Sequence, residues 1–208
     1  MKSLYDFIIK PLGERYNNEK KVGDKTLVLN TKIESFKSVN NLATVIATPS
    51  AFDTGVRPGD IVVVHHNIFR RFYDMKGREK NSRSYFKDNM YFCAADQIYL
   101  YKRSDEWISH IDRCFVKPVV ETSTLSPDKE KPLIGIIKYD NPYLNKLGVE
   151  VDMLITFTPQ SEFEFIIDDE RLYCMKSNNI AIKHERKGNE KEYNPGWAKG
   201  GRRVNQGS

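Results

Sequence analysis

The sequence predicts an all-β chain: two small β-barrels in tandem, followed by a C-terminal tail. Three observations carry that expectation. Short runs of β-branched and aliphatic residues are separated by turn residues, and no long stretch shows helical periodicity. The order of those runs is given twice, over residues 6–102 and again over 113–183. A repeat of about ninety residues is too long for a solenoid unit but suits an intact small domain, and small β domains remove exposed strand edges by closing into barrels.

The clearest repeated stretch is VRPGDIVVVHH at residues 56–66, answered by GVEVDMLITF at 148–157. In this match Asp60 falls on Asp152, and Ile61-Val62-Val63-Val64 on Met153-Leu154-Ile155-Thr156. Pro58-Gly59 supplies a turn, Pro by fixing φ and Gly by accepting positive φ. The β-branched run after it reads as a strand covered on both faces.

The first strand is expected in DFIIKPL, residues 6–12, and its partner in RCFVKPV, residues 113–119, each with a Pro suited to a strand end or edge. The copies then diverge. Residues 13–41 form a long polar segment with one apolar triplet, Leu27-Val28-Leu29, whereas residues 120–132 are shorter and hold Pro127, Pro132 and a single central leucine, Leu125. Loops of the first kind are uncommon in compact domains and are usually functional or disordered. The triplet reads either as an extra edge strand of its own barrel or as a recognition element on a mobile loop. The next strands are LATVIA at 42–47 and LIGIIK at 133–138.

Residues 67–89 are crowded with Arg70, Arg71, Lys76, Arg78, Lys80, Arg83 and Lys87 among Phe69, Phe72, Tyr73, Tyr85 and Phe86. Their counterpart at 159–170 is short and acidic, with Glu162, Glu164, Asp168, Asp169 and Glu170. Both are expected to form hairpins, and their opposite charges could attract. Each copy closes on strand, polar turn, strand, at residues 91–102 and 172–183, with Cys93 falling on Cys174 in a gap-free alignment. The resulting domain plan is a first barrel at 1–103 carrying the loop 13–41, a linker at 104–111 with a helical turn around Trp107 and Ile108, a second barrel at 112–185, and a basic, flexible tail at 186–208. The tail offers only Tyr193, Trp197 and Val204 to bury, too little to offset its ordering.

Composition bounds the function. Hydrophobic residues make up 39% of 208, with no apolar run near the roughly eighteen residues of a membrane span. Asp6 follows the amino terminus before any apolar stretch, so no signal peptide is read and a cytoplasmic location is expected. Cys93, Cys114 and Cys174 lack the spacing of a zinc or redox site and read as buried free thiols. The net charge of +5 does not by itself demand nucleic acid.

The order of these segments resembles the GroES-like (chaperonin-10) co-chaperonins, including the divergent versions carried by bacteriophages. The family pattern is a first strand like DRVIVK, a long mobile loop with an aliphatic triplet, a strand, a VGD turn leading into a hydrophobic strand, and a closing pair around an acidic turn. Residues 6–12, the triplet Leu27-Val28-Leu29 within 13–41, and residues 42–47, 57–64 and 91–102 match it in order. Residues 113–119, 133–138, 151–157 and 172–183 match it again, without the triplet. The resemblance implies a non-enzymatic binding protein without cofactor or metal, whose loop residues Leu27, Val28 and Leu29 dock on a GroEL-type chaperonin. The partner would bind the ATP, and the chain would assemble as a homo-oligomeric ring. A second reading is a phage-type structural or assembly protein, a virion component that kept the barrels. It accounts for the missing second triplet and the basic tail.

Residue chemistry offers little else. His65-His66 would be a metal pair only if the rings converged, and alternation along a strand is expected to send them to opposite faces. There is no Gly-rich phosphate loop and no Gly-x-Ser-x-Gly. The stretch 67–87 could grip single-stranded nucleic acid as some small barrels do, a third reading. The expectation set against it is that the Phe and Tyr rings cover the barrel while Arg and Lys stay wet.

Overall fold

Two six-stranded antiparallel sheets dominate the computed structural model, which describes residues 2–16, 19–22, 25–28, 39–121, 129–188 and 190–199. The chain divides into two compact units, Met1–Trp107 and Ile108–Ser208. The first contains β1 (Phe7–Pro11), β2 (Glu19–Val22), β3 (Lys25–Val28), β4 (Leu42–Ala47), β5 (Ile61–Val64), β6 (Phe72–Tyr73), β7 (Glu79–Lys80), β8 (Tyr91–Cys93) and β9 (Ile98–Arg103). After β10 (Glu106–Ser109) come β11 (Arg113–Val120), β12 (Glu130–Tyr139), the short helix α1 (Pro142–Lys146), β13 (Met153–Phe157), β14 (Phe163–Ile167), β15 (Glu170–Lys176) and β16 (Ile180–Lys187). The fold is predominantly β.

The sheet orders are β10-β9-β5-β4-β1-β8 and β14-β15-β11-β12-β13-β16. Removing the end strands β10 and β14 leaves β9-β5-β4-β1-β8 and β16-β13-β12-β11-β15, the same five-strand arrangement. The ladders make the correspondence residue-specific. Ile9 opposes Val45 as Val116 opposes Ile137, Val62 opposes Tyr101 as Ile155 opposes Lys183, and Val64 opposes Ile98 as Phe157 opposes Ile180. The main apolar clusters then match in turn: Phe7 with Cys114, Ile9 with Val116, Val45 with Ile137, Val62 with Ile155, Val64 with Phe157, Tyr91 with Tyr173 and Cys93 with Met175.

That correspondence corrects the alignment read from sequence by one residue everywhere after the first strand. Cys93 is equivalent to Met175, not Cys174, and Asp152 is equivalent to Gly59, not Asp60. Gly59 and Asp152 both have positive φ, 93° and 68°, and donate their N–H to Val45 O and Ile137 O at 2.8 and 2.9 Å. Asp is among the few L-residues that accept this conformation. Asp60 instead accepts two hydrogen bonds from the Arg103 guanidinium, at 2.5 and 3.1 Å, and one from Arg57 N at 2.8 Å. It braces the turn that launches β5.

Neither sheet closes into a barrel ladder among the described residues, so the barrel expectation reduces to two open sheets. The outer side of β8 is already taken by the preceding segment, where Phe92 N donates to Ser84 O and Tyr85 bridges Tyr91. The outer side of β15 is taken by β14, its hairpin partner through Asp168-Asp169.

Two further expectations are corrected. The linker 104–111 holds no helical turn: Ser104 and Asp105 both adopt positive φ, 49° and 67°, the requirement of a two-residue hairpin loop, and β10 pairs back on β9. The segment after Arg186 is not a tail until at least Lys199. β16 runs to Lys187, Glu192 bridges Val119, Val120 N donates to Lys191 O, Tyr193 N donates to Pro118 O, and Ala198 is fully buried. Counting apolar residues missed this because backbone pairing and ring contacts with Arg171 hold the segment. Residues 200–208 lie outside the description.

Candidate functional site

The two units differ mainly in what is inserted between equivalent strands, and in the first unit both large insertions leave from the same place. The β1–β4 connection begins at Gly13, whose φ of 79° turns the chain. Its two ends are then clamped. Tyr16 bridges Val39, and Asn40 N donates to Arg15 O at 2.8 Å. The fully buried Asn40 side chain donates to Leu12 O and Glu14 O at 2.9 and 3.1 Å and accepts from Leu42 N at 2.9 Å. A buried amide with every group engaged fixes geometry, because losing any partner leaves a desolvated polar atom.

The same clamp holds the second insertion, between β5 and β8. Arg15 donates through Nε and Nη2 to Phe69 O at 3.1 and 2.9 Å, and through Nη1 to Asn81 Oδ1 at 2.9 Å. The Tyr16 hydroxyl accepts from Arg71 N at 2.6 Å while the Arg71 guanidinium lies 4.5 Å from the Tyr16 ring centre. Ser82 Oγ donates to Ile68 O at 2.5 Å. Arg15, Tyr16 and Asn40 are therefore the organising residues of this end of the unit. Nothing in their sequence spacing marks them, since apart from the Asn40–Leu42 contact the hydrogen-bonding partners of their side chains lie 26–66 positions away.

Of the triplet residues, Leu27 and Val28 belong to β3, paired with Lys20 and Glu19 of β2 in a two-stranded sheet hydrogen-bonded to neither large one. Their side chains, and Leu29 altogether, lie outside the described residues. The second unit has no such hairpin in the description. There Val120 opposes Glu130, and Glu121 N donates to Lys129 O at 2.7 Å, narrowing the connection to a plain hairpin end.

The histidine pair departs from expectation. β5 ends at Val64, His65 caps a single 3-10 turn by accepting from Asn67 N on Nδ1, and the two rings stack at 4.4 Å with planes 24° apart. Strand alternation does not separate them because the strand has ended. Burial, then the neighbouring His65 and Arg70, lower the pKa of His66 to about 4. Among the described residues no group of three or more His, Cys, Asp or Glu could hold a metal ion. The unfolded chain takes up a proton on His66 near the ordinary 6.5 while the folded one resists until about 4. Stability therefore rises with pH through that window and levels off below it. His66→Gln is expected to flatten the pH dependence of the melting temperature between pH 6.5 and 4; an unchanged slope would refute the assignment.

Cys93, Cys114 and Cys174 are free and buried. Burial pushes the Cys114 thiol up to about 12 and the other two higher, so none is a nucleophile at neutral pH. A cavity of about 300 Å³ lies against the turn before β5, lined by Phe7, Pro49, Phe52 and the exposed Asp53–Arg57 ion pair. No helix among the described residues is long and apolar enough to cross a membrane. No protein-family model matches the chain, and no curated protein matches it.

Proposed function

We propose that the chain is a docking protein of the co-chaperonin kind, which engages a GroEL-type chaperonin through the β1–β4 connection and assists protein folding. Leu27, Val28 and Leu29 serve as its apolar anchors, and ATP is bound by the partner. On this reading the two units are the paired GroES-like barrels of the resemblance, and copies associate into a ring. One observation carries the reading: a five-strand unit occurs twice, and only the first copy bears a long connection, whose ends are clamped while its hairpin stays out of the main sheet.

A clamped base and a separately paired hairpin suit a segment that orders on a partner. Ordering a segment on binding costs about 2–5 kcal/mol of the gross interaction energy, so each contact is weak and reversible. Several copies in one ring add up, because later loops bind at high effective concentration.

The test is Val28→Asp, followed by melting temperature, native mass and ATP-dependent refolding by a chaperonin. Loss of refolding assistance with unchanged melting supports the reading. A stable variant with unchanged assistance sinks it. Disrupted self-assembly without any chaperonin binding by the parent chain points to the structural, virion-type role. A sharply lowered melting temperature would make the triplet an ordinary buried strand.

A further inference from the structure

The excursion between β5 and β8 presents a surface that the docking reading does not use. Of its rings, Phe69 packs inside the unit, but Phe72, Tyr73 and Phe86 remain 46%, 54% and 37% exposed. The expectation that the aromatic residues all cover the core is corrected accordingly. The short hairpin of β6 and β7 places Phe72 directly opposite Lys80, so ring and ammonium share a face, and the Arg70 guanidinium lies 5.7 Å from the same ring. A second cluster repeats the arrangement: Phe86 sits 4.9 Å from Phe92, with the Lys87 ammonium 5.4 Å from its ring centre. The Arg15–Tyr16 clamp holds the first part of the excursion at Phe69, Arg71 and Asn81, and the second cluster is set by the turn before β8, where Phe86 N donates to Met90 O and Phe92 N to Ser84 O.

Two carboxylates of the acidic counterpart pair within their own unit. In the acidic hairpin of the second unit, Glu164 accepts from Arg171 at 2.8 Å and Glu170 pairs with Lys138 at 3.0 Å. Within the excursion, Glu79 pairs with Arg71 at 3.2 Å and Asp74 with Lys80 at 3.9 Å, while Arg78 and Arg83 are exposed. Cations therefore outnumber carboxylates around rings that water still touches.

We propose that this face binds single-stranded nucleic acid, with Phe72 and Phe86 as stacking platforms and Arg70, Arg78, Arg83 and Lys87 around them for phosphates. Base stacking tolerates any sequence, since every base has a π-face, and flanking cations track the backbone. A duplex keeps its base faces stacked inside and cannot use the rings. DNA and RNA strands share the chemistry. This inference is independent of the triplet and of chaperonin docking.

The experiment is fluorescence anisotropy of the full chain with labelled oligothymidylate and oligouridylate, a duplex of equal length, and polyglutamate as competitor, across a salt series. Both single strands are expected to bind more tightly than the duplex, a preference for one of them identifying the natural strand. Phe72→Ala with Phe86→Ala, which leaves the charge untouched, should weaken binding by about tenfold or more with the melting temperature retained. Arg78→Ser with Arg83→Ser should flatten the salt dependence. Equal binding by the ring variant, equal affinity for the duplex, or no binding at low salt would each overturn the proposal. Equally effective competition by polyglutamate would also overturn it and assign the face to an acidic protein. If the ring variant folds poorly, Phe72→Tyr with Phe86→Tyr must bind as the parent chain does, since stacking survives; a loss there also refutes it.

Discussion

Replacing Arg171 by Met is expected to destabilise the second unit by about 3–5 kcal/mol, the cost of stripping the cation from a largely buried ion cluster. Arg171 has a side chain only 10% exposed and donates to Glu130 at 2.7 Å, Glu164 at 2.8 Å and the Tyr173 hydroxyl at 2.6 Å, and that hydroxyl in turn donates to Glu130 at 2.9 Å. Burial works against the guanidinium charge, yet Glu130 and Glu164 hold its pKa above the ordinary value. Its planar face lies 4.8 Å from the ring centre of Tyr173, 5.6 Å from that of Tyr193 and 5.8 Å from that of Trp197, and its backbone N–H donates to Asn194. Methionine would keep most of the volume but take from the Glu130 and Glu164 carboxylates the cation they share. The measurement is thermal unfolding followed by Trp197 emission in a Trp107→Phe background. Adding Glu130→Gln and Glu164→Gln should recover much of the loss, because removing the whole charge set costs less than removing one member. A change below about 1 kcal/mol in the single variant would mean that the cluster is no more than a surface ion pair.

Gly135→Ala is the second change expected to be severe, at roughly 3 kcal/mol, the upper end for overpacking. A Cβ at this position would run into Val116 Cγ1 and lie 2.7 Å from Lys117 O, and a main-chain oxygen in a strand pair cannot swing aside. The position opposes Pro118. Its equivalent in the first unit is Ala43 opposite Pro11, fully buried and tolerated. The reverse exchange, Ala43→Gly, should therefore cost only about 0.5–1 kcal/mol, the usual penalty for glycine inside a strand. Comparable losses from the two variants in thermal unfolding would show that the crowding at Gly135 relaxes, contrary to the expectation.

The candidate site was legible only in outline. Unequal insertions between matching strands can be read from sequence because polar, turn-rich lengths stand out between apolar runs. What binds the insertions together cannot. Tyr16, Asn40 and Arg15 act through partners remote in the chain, and a lone Asn or Arg carries no local pattern. Ring exposure was equally hidden. Phe69 and Phe72 sit three residues apart in a similar setting, yet one is buried and the other is not, since a 3-10 turn precedes the first and a two-residue strand carries the second.

The sequence by itself determined the β class, the position of nearly every strand, and the fact that one strand order occurs twice, because apolar runs bounded by turn residues are local signals. The tertiary structure alone decided register. Side-chain direction along a strand has period two, so alternation normally exposes a one-residue slip. Here β5, β13 and β15 are buried along most of their length, their apolar runs do not alternate, and two alignments of the copies look equally good. Only the ladders, by pairing Ile9 with Val45 and Val116 with Ile137, show which residues face each core. The same limit concealed β10 and the docking of residues 190–199, whose order comes from hydrogen bonds to strands already in place and not from apolar content of their own.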